Sequence, residues 1–260
     1  MEPNQPRTAG TLNMVELHHR PAAADSAVGS GNGMLAPLDA RVDNLTDRVF
    51  EAIRDSIVSQ ALPPGRRVSE AKLAAELNVS KTPVREALLR LRHVGLVEAA
   101  PKGLRVISAS VRAIRDAYEH RAGLESSAAW FTAHRATSAQ RERLHEVATS
   151  SLRAAESGDS AQFRAEDRVF HHIIAEFCGN EILQRAVDNA LVLTAVLRER
   201  DTPSTGDSIS CASEHIATAS AVLAGDADRA ARNNADHILH VMSLVLSSHT
   251  QRGNVPPGTS

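Results

Sequence analysis

A chain of 260 residues has room for two domains and a sizeable core, and its 29 Lys and Arg against 31 Asp and Glu leave a net charge of −2. It has no apolar run long enough to cross a bilayer and no signal-peptide core, which excludes a membrane-spanning role and sets the expectation of a cytoplasmic protein. Cys178 and Cys211 are too few for a disulfide framework and read as reduced, buried thiols, while 3% aromatics with abundant Ala, Leu, Arg and Glu favour a mainly α fold.

Residues 1–42 are rich in Pro, Ala, Gly, Ser and Asn and lack an apolar period, so they read as a flexible tail, with His18 and His19 solvated. A helix follows from Asp43 to Gln60 with Val49, Ile53, Ile57 and Val58 as its buried stripe, ended by Pro63-Pro64-Gly65. Ser69 then caps a short amphipathic helix to Leu77, and Asn78, tolerant of left-handed backbone, makes the turn. A second helix opens at Ser80, accepts Pro83 within its first turn, and runs to Val94 before Gly95. Val84, Ala87, Leu88 and Leu91 face the first helix, while Lys81, Arg85 and Arg92 line the opposite face. Strand-like runs at residues 96–99 and 104–107, joined through Pro101-Lys102-Gly103, complete a winged helix-turn-helix. From Asp43 to Ile107 there are 11 basic and 8 acidic residues, a net +3, so the rest of the chain carries −5. The basic excess therefore sits where phosphate neutralisation requires it.

Residues 45–107 resemble the DNA-binding domain of the GntR family of bacterial transcription regulators. The likeness rests on Leu62-Pro63-Pro64-Gly65, Val68-Ser69-Glu70, Leu73-Ala74 and the long run from Val79 to Leu88. Lys81 departs from the family's usual Arg and offers a point charge instead of a two-pronged donor. The resemblance implies that Arg67 helps to hold DNA. It further implies that Lys81 and Arg85 reach base edges, that Ser80 and Thr82 touch phosphates, and that Lys102 and Gly103 at the wing tip approach the minor groove.

After a hinge at residues 108–112 the pattern turns wholly helical, with helices expected over 111–134, 138–157, 159 to about 179, 181–200, 209–224 and 226–248. Asp159 with Gln162 reads as a capping box, residues 202–207 as a loop and the tail from Gln251 as loose. Within this antiparallel bundle, Asp167 and His171 stand one turn apart on one helix face, and His215 and His237 lie on later helices. Carboxylate and imidazole donors suit a divalent transition metal, although a lone helical histidine is more often structural. His172, rotated by about 100° from His171, belongs at the rim. His240, one turn past His237, reads as a supporting or surface residue.

Residues 113–246 are similar to the helical effector domain of the FadR subfamily, the FCD domain. The landmarks are Asp167-x-x-Phe170-His171, Gly179-Asn180, Glu214-His215, Gly225-Asp226 and His237-Ile238, with Asn234 departing from an apolar position. The resemblance implies a metal on Asp167, His171, His215 and His237, zinc first with nickel or manganese as alternatives. It implies a small carboxylate or hydroxy acid as effector, and Arg121 as its pocket arginine, against the alternative of a surface Arg paired with Glu125. The whole reads as a homodimeric, effector-controlled regulator binding a palindromic operator, with residues 43–107 reading DNA, 113–249 binding effector and 250–260 a flexible tail. The rival is a metal-dependent hydrolase fused to a DNA anchor.

Overall fold

The computed structural model describes residues 43–198 and 205–253. Its first elements are α1 (Asp43–Val58), β1 (Arg67–Val68), α2 (Glu70–Glu76), α3 (Lys81–His93), β2 (Val97–Ala100) and β3 (Gly103–Val106). Local chemistry explains the boundaries. The Ser69 hydroxyl accepts from the Lys72 amide at the start of α2, and Asn78 takes φ +51° in the turn between α2 and α3. The strands form one antiparallel sheet in the order β1-β3-β2, with Val97 opposite Val106 and Ala100 opposite Gly103. β1 is absent from the sequence reading because two residues are too few to show any alternation.

Phe50, Ile53, Ile57, Leu88, Leu91 and Leu96 are buried in a core between α1, α2, α3 and the sheet. Val58 departs from the expected stripe and is 48% exposed. Nine residues on from Val49 is roughly half a turn of a helix, so Val58 points away while Phe50 fills the core instead. The helix stops there because Gln60 is left-handed at φ +63°.

The remaining helices are α4 (Val111–Arg135), α5 (Ser138–Glu156), α6 (Ser160–Phe177), α7 (Glu181–Leu197), α8 (Thr205–Leu223) and α9 (Ala227–Gly253). α4 packs along α9 and α7, and α5 along α8 and α6. Thr137 and Gln140 form a reciprocal capping box on α5. On α6 the expected box is half made, because Asp159 accepts from the amides of residues 161 and 162 while the Gln162 side chain turns to Glu166 at 2.7 Å. Residues 205–207, expected in a loop, begin α8, and residues 251–253, expected in the tail, finish α9. The expected tails at 1–42 and 254–260 and the rest of that loop lie outside the described residues. Both cysteines are free and buried, and among the described residues no helix is long and apolar enough to cross a membrane.

The two halves share a helix. Val192, Leu193 and Val196 of α7 pack into the core formed by α1, α3 and the sheet. Gly95, left-handed at φ +81° after α3, leaves room for this contact, since a Cβ there would lie 3.2 Å from a Leu193 methyl carbon. Gly95→Ala is therefore expected to lower stability by roughly 1–2 kcal/mol from backbone strain alone, read as an earlier urea-unfolding midpoint with an unchanged slope.

Candidate metal centre and nucleic-acid interface

Three helices bring the bundle's four candidate ligands together. Asp167 and His171 stand on α6, His215 on α8 and His237 on α9, and their donor atoms all lie within 4.8 Å of one another. The Asp167 Oδ1 is 3.8 Å from His171 Nε2 and 3.7 Å from His215 Nε2, and His215 Nε2 is 3.1 Å from His237 Nε2. All three imidazoles are buried.

Their outer nitrogens are held as well. His171 Nδ1 donates to Glu125 at 2.6 Å, His237 Nδ1 donates to Glu214 at 2.7 Å, and His215 Nδ1 meets the Ser151 hydroxyl at 3.4 Å. A carboxylate at Nδ1 fixes the proton there and leaves the Nε2 lone pair facing inward. With Ser151 accepting from His215, all three Nε2 lone pairs and the Asp167 oxygen converge on one point. One nitrogen-rich, carboxylate-bearing point of this kind suits a divalent transition metal, so the residues fit the group that their types implied.

The electrostatics agree. Burial lowers His215 well below the usual imidazole range, and burial together with His171 takes His237 down to about 3, so both are neutral ligands at ordinary pH. Burial alone would raise Asp167, but His171, His215, Arg198 and Arg121 outweigh it and hold the carboxylate low. Burial likewise opposes the ionised Glu125, whose carboxyl is held well below its usual range by Arg121 and His171.

Glu125 is the residue that the sequence reading underused. It is fully buried and takes Arg121 Nε at 2.5 Å, His171 Nδ1 and, at 3.4 Å, the Asn234 amide. Arg121 is thus paired with Glu125 but is not on the surface. It is 7% exposed and lines a cavity of about 740 Å³ beside Asp167 and His171. Asn234 is buried, with its amide 3.4 Å from the Glu125 oxygen that holds His171. His172 stands at the exposed rim of the cavity with Asp188 at 3.1 Å, and His240 lies 2.7 Å from Glu214. Cys211, Glu214 and His240 form a second cluster. There burial, with Glu214 and Asp167 adding, pushes the Cys211 thiol up to about 12 and keeps it protonated.

The DNA-facing candidates occupy a separate face. Arg67 on β1, Ser80, Lys81, Thr82 and Arg85 at the start of α3, and Lys102 and Gly103 at the wing turn are all exposed. Arg85 is held by Glu70, with Nη2 at 3.0 Å and Nε at 3.1 Å from the same carboxylate oxygen. Basic side chains, a helix start and a wing tip on solvent-facing positions can meet a duplex without rearrangement of the core.

Comparison with known proteins agrees with this geometry. Residues 45–104 match the family described as bacterial regulatory proteins, gntR family, and residues 116–240 match the FCD domain. An HTH-type transcriptional regulator of Agrobacterium vitis is 33% identical over 48% of this chain and 75% of its own length. The NanR repressor of Cronobacter sakazakii is 29% identical over 85% and 91%, respectively. Among solved structures, E. coli McbR/YncC superposes with a TM-score of 0.62 at 24% identity, covering 79% of this chain and 98% of that one. The chain belongs to the GntR family, in the group that couples a winged helix-turn-helix to an FCD effector domain. It is a transcriptional regulator and not an enzyme.

The neutral imidazoles give a sign to acid sensitivity. Between pH about 3 and about 6.5 the unfolded chain protonates His237 and the folded one does not, so this contribution is complete above about pH 6.5 and is lost as pH falls. Chelator-treated protein is expected to show a lower urea midpoint at about pH 5.5 than at about pH 7.5, with the difference reduced in His237→Gln.

Proposed function

We propose that this regulator is a homodimer. Its two winged helices read the half-sites of a palindromic operator, and its bundle binds a small carboxylate or hydroxy acid at a metal held by Asp167, His171, His215 and His237. Residues 43–107 form the DNA-reading unit, 108–112 the linker, and 113–249 the effector-binding and dimerising unit. The observation that carries the reading is the convergence of four ligand atoms, two of them on Asp167 and His171, which line a cavity that also reaches Val58 of the DNA-reading half. Zinc suits the set best, nickel and manganese being the alternatives. The metal would supply a Lewis-acidic anchor for an effector oxygen. Arg121, whose Nη1 lies 3.5 Å from the Thr194 hydroxyl, presents its free donors to the same acid.

On the DNA side, Arg85 and Lys81 reach base edges in the major groove, Ser80, Thr82 and Arg67 hold phosphates, and Lys102 and Gly103 approach the minor groove. Arg85 has to leave Glu70 to do so. An exposed pair of this kind is screened by solvent and contributes little, so a guanine edge competes with it readily.

The coupling runs through α7. Leu191, Thr194, Ala195 and Arg198 line the cavity, Leu193 and Val196 enter the DNA-reading core, and Val192 belongs to both. Val58 at the end of α1 closes the cavity from the other half. An acid that draws Arg121 and the α6 ligands together presses on the helix that carries the reader. It changes operator affinity only by binding one arrangement of α7 and α1 better than the other.

Two separations follow. Arg85→Ala is expected to abolish specific operator shifts while leaving bound metal unchanged by elemental analysis; unaltered operator affinity would refute the recognition role. Glu125→Gln keeps the side chain's shape but removes the charge behind His171, and a loss of metal affinity of roughly 10–100-fold is expected by competition with a chelating dye.

A further inference from the structure

The cavity contains more positive charge than a single carboxylate uses. Arg164 and Arg198 both line it, from α6 and from the end of α7. Arg164 Nη1 and Arg198 Nε are buried and have no hydrogen-bond partner. Among the described residues neither side chain forms an ion pair. Other arginines of the bundle are satisfied: the exposed Arg135 by the Cys178 carbonyl at 3.0 Å, and the half-buried Arg141 by the carbonyls of Ala133, Ala136 and Val222. A buried guanidinium donor without an acceptor is costly, and its nearest remedy is an anion in the space it faces. The acids of the cavity cannot serve. Asp167 is directed to His171 and His215, and Asp188 is occupied by His172.

We propose that Arg164 and Arg198 form a second anion subsite, and that the effector is a small di-acid. One carboxylate of this effector lies at the Asp167–His171–His215–His237 centre and the other on the two arginines. The inference rests on the metal-site reading for the first carboxylate only. The cavity, about 740 Å³, has room for both ends of such a molecule. Guanidinium groups take a carboxylate through two parallel N–H···O bonds, so the second subsite selects for charge and planarity as well as length.

The test is calorimetric titration of full-length, zinc-loaded protein with malonate, succinate, glutarate and adipate, and with propionate and lactate as mono-acids. Zinc content is measured after each titration. At least one di-acid is expected to bind ten-fold or more tightly than either mono-acid, about 1.4 kcal/mol. Arg164→Gln and Arg198→Gln are each expected to remove most of that advantage with zinc retained. Di-acids binding no better than mono-acids overturn the second subsite while leaving the metal-anchored carboxylate in place, a result that needs no variant. An advantage surviving both substitutions also overturns it. If no acid of either kind binds although zinc is retained, both readings fall.

Discussion

The effector half is organised around three buried imidazoles, two of which, His215 and His237, are kept neutral. Burial and mutual proximity make the protonated rings costly, and oxygen partners at Nδ1 set their orientation. A cluster of this kind is poor packing material. Two Nε2 atoms at 3.1 Å beside a carboxylate are held together only because α4, α6, α8 and α9 are packed by the apolar residues around them. The bundle's stability supports the site; the site does not account for the bundle.

Glu125 links this centre to the cavity. It holds Arg121 with one oxygen and His171 with the other, so a candidate metal ligand and the arginine that lines the cavity share one carboxylate. The burial of so much charge is tolerable because each partner is satisfied. Replacing either partner would leave an ionised carboxylate without compensation in a dry interior. Effector chemistry and ligand geometry are therefore not separable at this point of the fold.

Much of this was legible in the sequence, and the exceptions have physical causes. The two helices of the DNA reader announce themselves through a serine cap, an asparagine turn and a glycine stop, because those residues answer local backbone demands. The Asp167–His171 pair is readable for the same reason, since four residues make one helical turn. The role of Glu125 was not readable, because its pairing with His171 spans 46 positions and joins two helices whose register is set by packing. In sequence it looked like an ordinary i,i+4 partner of Arg121, and that pairing is real, but burial changes what it does. Val58 was misplaced by one step on its helix, and β1 was too short to carry a period. The loop before α8 was drawn too long and α9 too short because runs of polar residues in a helix resemble a loop or tail.

The ion pair between Arg85 and Glu70 bears on how this regulator searches a genome. A side chain already satisfied by its own protein gains little from each phosphate it passes, so it adds little to loose association with arbitrary duplex. In the proposed contact with a guanine, its pairing would be exchanged only where a base edge offers two acceptors in the right plane. The internal rival thus trims weak encounters more than cognate ones, and the gap between target and background widens at small expense in absolute affinity.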